Sequence, residues 1–254
     1  AADYFLIKQQ RSLGISEKEK IKIAVKSLGL DDLFPFKPEE RIIEYVLKNN
    51  QGNRLIDMSL EEFSDETASE SMAPGGGSIS AYVGALGISL ATMVANLSAH
   101  KRGWDDQWQT FSEWAVKGQI LKEELLKLVD EDTAAFNKIM DAFGLPKGTD
   151  KEKLNRKEAI QKATRYAIEI PFKVMEKSFA SLEICAKMVK IGNPNSVTDA
   201  GVGALCARAA LMGAFMNVKI NASGLHDKDF INRVLEEGLA LQNAALKLEK
   251  EIMD

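Results

Sequence analysis

Apolar residues along this chain recur at intervals of three and four, the spacing that lines one face of an α-helix. Short alternating runs of β-branched residues between tight turns are nearly absent, so the pattern predicts an all-α protein. Ser16 followed by Glu19 predicts a capped helix running to about Leu28 and stopped by Gly29. Beyond Pro35 and Pro38 a helix is expected from Glu39, and another from Ser59, which has Glu62 three residues on. Further helices are predicted over 78–99, 105–143, 151–176, 178–190, 197–221 and 228–253, with Pro171 kinking or splitting the one that contains it. The expected architecture is an antiparallel helical bundle over residues 55–254, preceded by a helical appendage over 1–46. The polar, glycine-containing stretch "KNNQGNR" marks a linker at 47–54.

Composition narrows the function classes. Apolar residues are 45% of the 254 and charged residues 28%, enough to bury a sizeable core. A net charge of -4 supplies no basic stripe for nucleic acid. Cys185 and Cys206 fall inside apolar helical patterns and are expected to be buried thiols. Two histidines, with neither HExxH nor CxxC, predict no metal site. The opening "AADYFLIKQQ" has no basic segment before an apolar core, so it is expected to be a cut from a longer polypeptide rather than a signal peptide. Residues 78–100 carry no formal charge and are long enough to span a bilayer. Their Gly, Ala and Ser content favours instead a buried central helix of a soluble bundle.

Three adjacent carboxylates interrupt the longest helical pattern, in "LVDEDTAAF". Asp132 lies four residues after Leu128, three after Val129 and four before Phe136, which sets it on the apolar stripe. Asp130 and Glu131 fall on faces shared with lysines and are expected to meet water. A buried carboxylate is costly unless paired, and its raised pKa lets it exchange protons near neutrality, so Asp132 is either a structural acid or a catalytic one. "APGGGS" places Gly75, Gly76 and Gly77 before a helix, a turn that either presents N–H groups to an anion or lets two backbones meet; Ser78 is the expected cap. Lys101 and Arg102 end a helix and Asp199 begins one, where complementing the helix dipole is the default role. Asn217 and Asn221 lie one helical turn apart, placed to bracket a heterocycle or to bond neighbouring helices. Trp104, Trp108 and Phe111 form a packing stripe.

In this order, "ASESMAPGGGSISAYVGALGISLATMVANL", the basic pair, "LVDEDTAAF", "GNPNSVTDAGVGAL" and "GAFMNVKIN" resemble the formimidoyltetrahydrofolate cyclodeaminase/methenyltetrahydrofolate cyclohydrolase family over about residues 55–254. Residues 1–46 resemble the C-terminal end of the glutamate formimidoyltransferase domain that is fused ahead of the deaminase in bifunctional members. The resemblance implies an all-helical, dimeric enzyme with sites near the subunit interface. It also implies a folate polyglutamate substrate; that chemistry requires no cofactor, and the chain is expected to be cytoplasmic with no membrane span. It puts the catalytic acid at Asp132 and makes Gly75, Gly76, Gly77, Ser78, Lys101, Arg102, Asp199, Asn217 and Asn221 candidate binding residues. Here Lys101-Arg102 follows Ala99-His100, where other members carry Arg-Arg after Tyr-Gly. Cyclodeaminase, cyclohydrolase and a non-catalytic helical dimerisation module stand as the three expectations.

Overall fold

The computed structural model describes residues 1–49 and 54–254, and residues 50–53 of the predicted linker lie outside them. Four long helices form the body: α6 (Gly76–Ala99), α7 (Trp108–Gly144), α8 (Asp150–Ile191) and α9 (Val197–Ala222). The last helix, α10 (Lys228–Met253), packs on α8 and α9. Ahead of the body come α1 (Ala2–Lys8), α2 (Glu17–Ser27), α3 (Pro38–Arg41), α4 (Ile43–Asn49) and α5 (Leu60–Thr67). No strand occurs among the described residues.

Small residues set the closeness of the central pair. α6 packs on both α7 and α9, and where it crosses α9 a Cβ on Gly87 would lie 2.7 Å from the Gly203 carbonyl oxygen. Any side chain there would push the helices apart, so two helices rich in Gly and Ala are what this contact requires. Both helices are long and apolar enough to cross a membrane; the apolar window of α6 is 61% buried in the bundle, as a central helix would be, and that of α9 only 44%.

Three boundaries differ from the sequence expectation. The helix expected to begin at Ser78 begins at Gly76, so Ser78 sits inside it and caps nothing. The helix expected from Glu39 is broken at Ile42 into α3 and α4. Pro171 does not split its helix: α8 runs uninterrupted for 42 residues, opened by a reciprocal Thr149–Glu152 capping box. A proline removes the N–H that would bond the carbonyl four residues earlier, here that of Ala167. The Asn221 side chain on α9 donates to that same oxygen at 2.8 Å, so the freed acceptor is satisfied from a neighbouring helix.

The upstream segment is fastened to the far end of α6 and α7. The Gly14 carbonyl accepts from the side chains of Asn96 at 2.8 Å and Gln119 at 3.0 Å, and the Leu13 N–H donates to Ser112 Oγ at 2.8 Å. A Cβ on Gly14 would overlap Ala115, so only glycine lets the backbone lie this close to α7. Trp104 stacks on Phe111 beside this joint, with the Lys101 ammonium 3.8 Å above the Trp104 ring. The cysteines are free thiols: Cys185 is buried and Cys206, expected to be buried, is only half so. Burial pushes the Cys185 thiol up to about 12, which makes it inert.

Candidate active site

At the opposite end of the bundle, the glycine turn, α7, α8 and α9 enclose a recess of about 130 Å³. Gly75, Gly76 and Gly77 form one wall, with Asp132, Phe136 and Ile139 from α7, and Asn217 and Asn221 from the last turns of α9. The recess is smaller than the ~300–1,000 Å³ of a whole-ligand pocket, so it takes one end of a ligand. A larger cavity, about 1040 Å³, lies elsewhere, between α2, the segment around Arg54 and Glu123 of α7. It lacks the inward-facing acid, so size and chemistry point to different places and the chemistry decides.

Asp132 faces inward, as its spacing predicted. Burial holds its carboxyl above the usual carboxylate range, and hydrogen bonds from Ser78 only partly oppose this. Ser78 is fully buried; its hydroxyl lies 2.9 Å from the Val129 carbonyl oxygen and 3.2 Å from Asp132 Oδ2. One hydroxyl proton cannot serve two acceptors. Donation from Ser78 alternates between the Val129 carbonyl and Asp132 Oδ2, with Thr133 Oγ1 3.4 Å from the same hydroxyl. Donation from Ser78 favours the charged form, and burial, the larger influence, favours the neutral acid.

Gly77 explains the glycine turn better than the anion nest does. A Cβ there would overlap the Asp132 carboxylate, so the turn is glycine because the acid lies against its backbone. Gly76 is exposed, and a Cβ there would meet Asn217 Nδ2 at 3.4 Å, an ordinary contact. The constraint thus falls on Gly77 rather than on the middle of the triplet.

The other predicted residues separate. Asn217 donates to its own helix at Gly213, 2.9 Å, and Asn221 commits its N–H to Ala167. Both line the recess, and Asn221 answers the second of its two expectations, bonding a neighbouring helix. Lys101 and Arg102 follow the C-terminus of the 24-residue α6, about 36 Å from the glycine turn at 1.5 Å per residue. Asp199 lies at the start of α9, also at the far end. Within one chain none of these three meets Asp132. Asp130, expected to face water, instead accepts from the Leu55 N–H at 2.7 Å, and burial raises its pKa too. Glu131 pairs on the surface with Lys127 at 3.3 Å.

Thr133, Met72, Ala73 and Ala167 also line the recess and were not singled out. Ala167 had a signal, lying four residues before Pro171; the others had none. Among the described residues no group of three His, Cys, Asp or Glu is placed to hold a metal ion.

Comparisons with known proteins identify the family of the chain. The formiminotransferase-cyclodeaminase family model matches residues 59–239, and the formiminotransferase domain model matches 1–48. Formimidoyltransferase-cyclodeaminase of Gallus gallus is 36% identical over 96% of this chain and 46% of its own length. This chain spans about half the length of the curated relatives of that name. Methenyltetrahydrofolate cyclohydrolase of Methylorubrum extorquens is 35% identical, covering 74% of this chain and 91% of its own. The crystal structure of formiminotetrahydrofolate cyclodeaminase from Thermotoga maritima superposes with a TM-score of 0.67 at 28% identity, over 78% of this chain and 97% of that one. With a family model matched across most of its helical body, the chain belongs to the formiminotransferase-cyclodeaminase family.

Proposed function

We propose that this chain is a formimidoyltetrahydrofolate cyclodeaminase. It cyclises 5-formimino-tetrahydrofolate to 5,10-methenyl-tetrahydrofolate and releases ammonia. The observation that carries this reading is Asp132, held neutral-leaning by burial against the glycine turn at the mouth of a recess sized for one end of a ligand.

The reaction needs proton transfers and alignment. Nitrogen-10 attacks the formimino carbon while the Asp132 carboxyl protonates the imino nitrogen. The resulting carboxylate takes the proton from nitrogen-10 and returns it to the amine, which leaves as ammonia. Substrate plus one proton gives the methenyl cation plus ammonia, with the extra proton drawn from solvent. One carboxyl with a raised pKa suffices as shuttle, and the recess keeps the two nitrogens in attack geometry. No cofactor is required by this balance.

The partner reading is a homodimer. α6 exposes Leu86, Met93 and Leu97, and α9 exposes Val202, Met216 and Ile220; exposed apolar side chains of this kind are what an interface would cover. A twofold axis across the middle of α6 would bring the partner's Lys101 and the partner's Arg102 beside the glycine turn, where they can meet an anionic ligand. Leu86→Glu should then give a monomer by sedimentation and lose turnover. A dimer of unchanged activity would refute this. Residues 1–48, which match the transferase domain model, favour a fused formimidoyltransferase domain in the full protein; a cytoplasmic location is part of the same proposal.

Incubating the purified chain with 5-formimino-tetrahydrofolate and following methenyl absorbance together with ammonia tests the reaction. Both should rise in equal amounts. The cyclohydrolase relative supports a second reading, in which the same recess opens the methenyl ring with water. Methenyl consumption without any formimino turnover would select it over the deaminase.

A further inference from the structure

The recess that holds Asp132 is too small for a whole folate, so most of the ligand must lie outside it. The structure offers one continuous path. Phe136 and Ile139 line the recess, and the same flank of α7 continues to Met140, 45% exposed, and Phe143, 50% exposed. α7 runs on to Gly144, well past the level where Asp132 meets the start of α6, so this flank forms a ledge above the recess. The ledge ends at a cation. Arg156 of α8 lies with its guanidinium 5.6 Å from the Phe143 ring centroid, and its Nε and Nη2 donate to the Phe143 carbonyl oxygen at 3.2 and 3.1 Å. Its Nη1 donates to no described residue. From Asp132 to Phe143 is about 16 Å at 1.5 Å per residue.

Resting on the cyclodeaminase reading of the recess, we infer that this ledge is the subsite for the remote half of the ligand: Met140 and Phe143 seat its aminobenzoyl ring and Arg156 binds the glutamate carboxylate. An apolar strip followed by a planar cation matches an aromatic ring followed by a carboxylate, in that order and over that length. The outward-facing N–H groups of Arg156 suit a carboxylate, while its bonds to α7 fix the fork in place.

Titration calorimetry with tetrahydrofolate and with tetrahydropteroate, which lacks the glutamate, tests the assignment on the whole chain. Arg156→Ala should weaken tetrahydrofolate about 10-fold and leave tetrahydropteroate within about 2-fold, since a charge-assisted bond to the missing group is all that it removes. Met140→Glu, at an exposed position where folding is not at stake, should weaken both ligands, because both carry the aminobenzoyl ring that Met140 seats. Lys157→Ala, a nearby surface cation off the ledge, should change neither. Equal losses for both ligands with Arg156→Ala, or no loss with either Arg156→Ala or Met140→Glu, would overturn the subsite. So would dissociation of an oligomer by Met140→Glu, which would make the ledge a chain–chain contact. Ammonia release by the wild-type chain is measured alongside. If turnover is absent, the cyclodeaminase reading and this inference fail together; turnover with unselective losses from Arg156→Ala removes this inference alone.

Discussion

The two ends of the α6–α7 pair use polar side chains in opposite ways. At the far end Asn96, Gln119 and Ser112 are committed to the backbone of residues 13–14, and the interface they make is a joint. At the near end Asp132 faces a recess with one serine hydroxyl for company, and its proton is not fixed by any cation. The same two helices therefore carry a fastening at one end and a group left free for chemistry at the other. Amide groups committed to a neighbouring backbone add rigidity, even though Asn96 Oδ1 and Gln119 Oε1 are buried without a partner, whereas a buried carboxyl without a countercharge stores a raised pKa.

The sharpest way to break the contrast is at the near end. Asp132→Asn should lower turnover by ~10²–10⁴, the range for one positioned acid or base, with the far-end joint and the helical circular dichroism unchanged. Gly77→Ala should come next. The new methyl displaces the carboxylate, so turnover should fall at least ~10-fold and stability by about 1–3 kcal/mol, read from kinetics and urea melts. Asn221→Ala should cost about 1–3 kcal/mol by stranding the Ala167 carbonyl. In a Pro171→Ala background, which restores the backbone donor, most of that cost should vanish; an unchanged cost would remove the proline from the explanation. The smallest effect belongs to the joint. Asn96→Ala should cost about 1 kcal/mol and open residues 12–14 to proteolysis, with turnover unaltered.

Linkage gives Asp132→Asn a second signature. The folded pKa of Asp132 lies above its unfolded value, so the folded state binds the proton more tightly than the unfolded chain does. Stability from this group is therefore fully present below the unfolded value and is lost as pH rises through the folded pKa. The Asn variant should melt higher than wild type at neutral pH, and the gain should shrink as the pH falls towards the ordinary carboxylate range. A gain that grows on acidification would have the wrong sign.

Much of this was legible before any coordinates. Long helices with clean stop signals, such as 197–221 and 228–253, declare themselves because their period extends over many turns. Asp132 was legible for the same reason: its neighbours at three and four residues are apolar. Spacing says which face a residue occupies, but not what arrives there from elsewhere in the chain. Asp130 shares its face with lysines, yet Leu55, 75 positions upstream, donates to it. Pro171 carries a strong break signal, and only the Asn221 amide, arriving on another helix, shows why α8 continues. The basic pair and the glycine turn look adjacent in a motif list, while 24 residues of straight helix keep them apart in one chain.

The central claim is that a neutral Asp132 does the proton work, and the pH dependence of ammonia release tests it most directly. Wild type should lose rate as pH rises through the raised Asp132 pKa, and Asp130→Asn should keep that limb. Asp132→Asn should give a low rate without it. An Asp132→Asn chain that retains the wild-type rate and profile would contradict the account.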